Sequence, residues 1–154
     1  MTDVVNSGYK AEAQSIAFSG TQTLVSLTND EWTSLSDEID NSSTKYLKCD
    51  IEVVLGSAAF TGTDSALELY LLPAVDGTNY PDWTDNVTTD EQENNIHFIG
   101  AVTTSGTTAA QRLTLRDVDL PPGKWKMGAR NKTNVTLAAS GSTIKYRPWQ
   151  YSSS

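Results

Sequence analysis

The chain has 154 residues, 38% of them hydrophobic and only 19% charged, so it can bury one core but hardly two. Its net charge of −8 argues against a nucleic-acid binder, which needs a basic face for the phosphates, and against an anionic membrane surface. Abundant Thr, Ser, Gly and Asn suit an all-β protein with many turns.

Residues 1–14 show no hydrophobic period and are expected as an extended N-terminal arm or mobile tail, with 15–154 as a single β-sandwich domain. MTDVVNSGYKAEA is polar and lacks the apolar run of a signal peptide, which with one unpaired cysteine points to a reducing cytosol. Short strands are expected at Ser15–Ser19 and Gln22–Thr28. Thr28-Asn29-Asp30-Glu31 then predicts an N-cap and a helical turn through Trp32 and Leu35. Lys45–Leu55 alternates cleanly, with Cys49, Ile51, Val53 and Leu55 on its apolar side, which makes Cys49 an inert core thiol.

Ala66–Val75 is the next strand, Leu67, Leu69 and Leu71 opposing Glu68, Tyr70 and Leu72; Asp76-Gly77 ends it in a turn. Thr78–Asn94 is a long polar excursion. Strands follow at Ile96–Thr103, Gln111–Leu120, Lys124–Lys132, Val135–Ala139 and Thr143–Tyr151. Pro121 and Pro122 cannot donate to a ladder, so Pro121-Pro122-Gly123 is a corner between two half-buried strands. About eight or nine short strands predict an antiparallel two-sheet sandwich, and the long crossings favour a jelly-roll or Greek-key order.

Chemistry is sparse. The acids Asp82, Asp85, Asp90, Glu91 and Glu93 match no calcium-loop spacing, and no metal or other cofactor is expected. His97 is the only histidine and no nucleophile elbow accompanies it, so no catalytic residue is assigned and the chain is read as a non-enzyme. Trp125 falls on the core side of its strand, whereas Tyr80 and Trp83 share a loop and could form an exposed platform for a sugar or an interface. Asn41, Asn86, Asn131 and Asn134 each head an Asn-x-Ser/Thr triplet, expected to be empty in a chain without a secretion signal.

The run from Leu67 to Pro81 (LELYLLPAVDGTNYP) resembles small structural proteins encoded in tailed-bacteriophage morphogenesis regions. So do DLPPGKW at 119–125, RNKT at 130–133, AASGSTIKYR at 138–147 and SDEIDN at 36–41. The resemblance implies a jelly-roll virion protein, a head decoration (cement) protein or a tail-associated one, assembled in the bacterial cytoplasm. Such cement proteins sit as homotrimers on the outer capsid and clamp neighbouring major capsid subunits. The expected contact residues are Val4, Val5, Tyr9 and Lys10 of the arm, with a basic strip of Arg116, Lys124, Lys126 and Arg130. The competing expectation is a tail or fibre module binding carbohydrate through Tyr80 and Trp83.

Overall fold

Alternating side chains become nine strands in a computed structural model, which describes residues 5–153, with side chains for 8–150. In chain order they are β1 (Val5–Tyr9), β2 (Gln14–Ile16), β3 (Ile39–Asp40), β4 (Lys48–Leu55) and β5 (Ala66–Pro73). After a single-turn helix α1 (Gln92–Asn95) come β6 (Phe98–Thr103), β7 (Gln111–Asp119), β8 (Lys124–Lys132) and β9 (Thr143–Ser153). One sheet has the order β1-β9-β4-β7, with β2 also paired to β9, and the other β3-β8-β5-β6. Every strand pairing is antiparallel. The pairs β2·β9, β3·β8, β4·β7 and β5·β6 are nested and fall alternately in the two sheets. That is a long hairpin rolled into a jelly roll.

The period of two decides what fills the sandwich. Cys49, Ile51, Val53, Leu55, Ile144 and Tyr146 point inward from the first sheet, against Leu67, Leu69, Leu71, Trp125, Met127 and Ala129 of the second. Trp125 is fully buried and meets Tyr146 edge-on at 5.3 Å between ring centroids. The Pro121-Pro122-Gly123 corner carries the chain from one sheet to the other.

The second sheet is covered on its outer side as well. The chain at 31–37 runs along β8 instead of forming a helix: Thr33 N–H donates to the Ala129 carbonyl at 2.9 Å and Ser36 N–H to that of Met127 at 2.7 Å. The Thr33 and Ser36 hydroxyls accept the Ala129 and Met127 N–H groups in return. The start signal does close a turn, in which Glu31 accepts the Thr28 N–H and donates its own to the Thr28 carbonyl, but β8 needs partners along this side and that demand stops the turn from continuing as a helix. Trp32 thereby lands on Tyr70 and Leu72, and Trp83 from the long excursion packs beside them, with Leu35 and Val87 at the rim. Tyr70 and Leu72, on the face of β5 opposite Leu67, Leu69 and Leu71, are therefore buried.

Buried asparagines tie the loops to the sheets. Asn41 donates to the Tyr46 and Pro121 carbonyls and accepts from Tyr46 N–H and the Thr44 hydroxyl. Asn131 does the same for Leu27, Val135 and Thr133, and Asn94 for both backbone groups of Thr84. Asn41 and Asn131, two of the four triplet asparagines, are thus internal clips, satisfied within the fold. The expected strands at Gln22–Thr28 and Val135–Ala139 are irregular. Leu24, Leu27 and Leu137 bury their side chains without a ladder, although Leu27 and Leu137 share one backbone bond.

Candidate interaction surface

Of the expected arm, residues 5–9 and Gln14 are sheet-bound. β1 pairs with the C-terminal half of β9 from Val5↔Ser153 to Tyr9↔Trp149, and β2 with its N-terminal half. Val4 lies outside the described residues, and of Val5 only the backbone pairing is described. Lys10 follows β1 and donates its N–H to the Pro148 carbonyl at 2.9 Å. Tyr9 stands on the outer face of the first sheet, half exposed.

Around Tyr9 the outward positions of β4, β7 and β9 converge on Asp50. The Tyr9 hydroxyl donates to Asp50 Oδ2 at 2.8 Å, and Trp149 Nε1 donates to Oδ1 at 3.2 Å. The Asp117 N–H donates to the same Oδ1 at 3.0 Å, and Arg116 Nε lies 3.7 Å from Oδ2. The geometry depends on a β-bulge. Between Cys49↔Val118 and Ile51↔Leu115, the single Asp50 opposes both Arg116 and Asp117, and Asp117 has a φ of 60°. The Arg147 guanidinium packs on the Tyr9 ring, 4.2 Å from its centroid. Lys48 holds Asp117 and Asp119 at 2.9 and 2.8 Å.

Burial pushes the Asp50 carboxyl up, but the bonds from Asp117, Tyr9 and Trp149 and the charge of Arg116 outweigh it, and the group titrates below the ordinary aspartate range. Its hydrogen bond, with burial second, pushes the Tyr9 phenol up. Between Tyr9 and Trp149 opens a cleft of about 340 Å³, bounded by Gly8, Asp50 and Arg116. A groove of about 220 Å³ shares Tyr9 and Asp50 with it and is flanked by Glu52, Lys145 and Arg147.

The basic strip does not exist as one surface. Arg116 belongs to the first sheet, while Lys124, Lys126 and Arg130 lie on β8 of the second. Lys124 pairs with Glu38 at 2.9 Å, and Lys126 lies over the Tyr80 ring. Arg130, expected in solvent, is 5% exposed: it pairs with Asp90, donates to the Asp30 carbonyl and stacks on Trp32. Segments 30–37 and 82–95 cover its end of β8, which alternation within β8 cannot foretell. Tyr80 and Trp83 do not make a platform either. Tyr80 donates to Glu38, whereas the Trp83 indole packs on Gly128 and donates to the Thr33 carbonyl at 2.7 Å. Burial, then Glu38, pushes the Tyr80 phenol up to about 12.

The acids of the excursion are used singly. Asp85 accepts from Ser34, Asp90 from Arg130 and Glu91 from Thr89. Among the described residues no three His, Cys, Asp or Glu side chains are grouped to hold a metal ion. His97 is partly buried, which lowers its pKa, and Cys49 is buried, which raises its thiol to about 12.

Of the expected contact residues, the structure brings Tyr9 and Arg116 together. Asp50, Arg147 and Trp149 complete the set and were missed, although the alternation of β9 carried the signal: with Ile144, Tyr146 and Pro148 inward, Arg147 and Trp149 must face out. No protein-family model matches the chain, and no curated protein matches it.

Proposed function

We propose that this protein is a head decoration protein of a tailed-phage virion. It docks through the outer face of the β1-β9-β4-β7 sheet onto the major capsid protein and reinforces contacts between capsid subunits, without catalysis. The observation that carries the docking is the gathering of Tyr9, Trp149, Arg116 and Arg147 on the open face of that sheet. Tyr, Trp and Arg are the residue types that concentrate binding energy at protein interfaces. The phage assignment is supported by the sequence resemblance spread over residues 35–147. The jelly-roll order is one that viral capsid and lectin domains both use, so topology does not choose between them.

Charge supports the same orientation. The outward positions of β4, β7 and β9 carry five cations (Lys48, Arg112, Arg116, Lys145, Arg147) against four acids (Asp50, Glu52, Asp117, Asp119). This net +1 leaves −9 for the rest of a chain of net −8. An acidic partner meets less repulsion here than elsewhere on the molecule. Decoration as a homotrimer would multiply each weak contact by avidity.

The test is co-sedimentation of the purified protein with capsids lacking it, together with its mass by sedimentation equilibrium. Saturable binding at hundreds of copies per particle is the expected result, weakened at least tenfold by Tyr9→Ala with Arg116→Glu while the fold, followed by circular dichroism, persists. Absence of saturable binding by the wild type would overturn the proposal.

A further inference from the structure

We infer that the cleft between Tyr9 and Trp149 is an anchor pocket for a carboxylate, taking a glutamate or aspartate side chain from an acidic segment of the docking partner. The inference rests on the docking face proposed above and deepens it. Its basis is the distribution of donors and acceptors. Asp50, the one acid lining the cleft among the described residues, is spent inward: its two oxygens receive Tyr9, Trp149 and the Asp117 N–H, with Arg116 Nε close by. The Tyr9 proton is committed to Asp50 as well. Arg116 approaches Asp50 only through Nε, its side chain is 80% exposed, and its terminal N–H groups take no partner among the described residues.

The cleft therefore offers a guanidinium fork in a space lined by two aromatic side chains, while its described acid is occupied. A guanidinium fork matches a planar carboxylate, and the rings can cover the methylenes behind it. At about 340 Å³ the space exceeds a single acidic side chain and admits the neighbouring backbone. The net +1 of the surrounding face favours an anionic entrant over a cationic one. Asp50 then acts as a positioning residue: by fixing Tyr9 and Trp149 before binding, it reduces the ordering that binding would cost.

The experiment is a titration of the ¹⁵N-labelled full chain with a capped tri-glutamate peptide, and separately with its tri-glutamine counterpart, followed through the Arg116 Nε–H and Trp149 Nε1–H resonances. The expected result is a saturable shift of both resonances by the glutamate peptide, weakened as salt is added. Arg116→Gln, which leaves Tyr9 and Trp149 in place, should weaken it about tenfold or more. Equal shifts by the glutamine peptide, no shift at all, or tighter binding of a neutral hexose to the same resonances would each overturn the carboxylate pocket. Capsid co-sedimentation run in parallel separates the two claims. Capsid binding without a peptide shift removes the pocket and leaves the docking face; a peptide shift without capsid binding supports the pocket and removes the decoration role.

Discussion

Tyr9 and Asp50 lie 41 positions apart in sequence and meet in one hydrogen bond of 2.8 Å that reaches from β1, across β9, to the middle of the first sheet. The same carboxylate receives Trp149 and the bulged Asp117, so it fastens three strands to β4 from outside the core. The docking face thus has an internal scaffold of its own.

Replacing Asp50 by Ala should leave the core intact while releasing Tyr9, Trp149 and the Asp117 N–H, costing roughly 1–3 kcal/mol. Because its carboxyl titrates below the ordinary range when folded, its contribution is complete above the unfolded value of roughly 4 and is lost as pH falls through the folded value. Thermal unfolding of wild type and Asp50→Asn should therefore differ most near neutrality and converge in acid. In a spectrophotometric titration the Tyr9 phenol should return toward its normal range in the variant. A constant difference in unfolding temperature across the acid range would refute the linkage.

Gly128 makes room for Trp83. A methyl group there would land inside the indole, so Gly128→Ala must push Trp83 off the sheet and is expected to cost about 1–3 kcal/mol. Shrinking the ring with Trp83→Phe relieves the clash, and the double variant should lose less than the sum of the two singles. Chemical denaturation of the four proteins measures the coupling; simple additivity would show that the two residues do not oppose each other.

Arg130 holds its place as much by packing as by charge. Arg130→Ala removes a buried side chain stacked on Trp32, and a loss of about 2–4 kcal/mol is expected. Asp90→Asn should cost far less, because Asp90 is 77% exposed and its pair with Arg130 is open to solvent. Equal destabilisation by the two substitutions in urea denaturation would contradict this ranking.

Cys49 should report on unfolding. Burial keeps its thiol at about 12, so at pH 8 a disulfide reagent should label the folded protein only through opening of the β4 region. Labelling is expected to be slow in native buffer and to accelerate with urea along the unfolding transition. Prompt reaction in native buffer would place the thiol at the surface.

The legible part of the fold was whatever depends on one strand alone. The bounds of β8, the inward set of β4 and the corner at Pro121-Pro122-Gly123 follow from alternation and from the missing proline donors, which need no knowledge of neighbours. The helical turn expected from Thr28 through Leu35 ends at Glu31 because the open side of β8 recruits the following segment as an extended partner, a demand arising about 100 residues further along. The site was half legible: Tyr9 and Arg116 stood among the expected contacts, but nothing local links them to Asp50.

Alternation by itself determined which side of β4, β5 and β8 faces the core. Only the tertiary structure decided whether the other side meets water. Arg130 has the same parity as Lys126, and Tyr70 the same as Glu68, yet Arg130 and Tyr70 are sealed under Trp32 and its neighbours. On the other sheet Arg116 and Tyr9 stay open. The physical reason is that a period of two encodes a strand's own amphipathicity, whereas covering a sheet's second face depends on where distant loops return, and that is a property of the rolled topology.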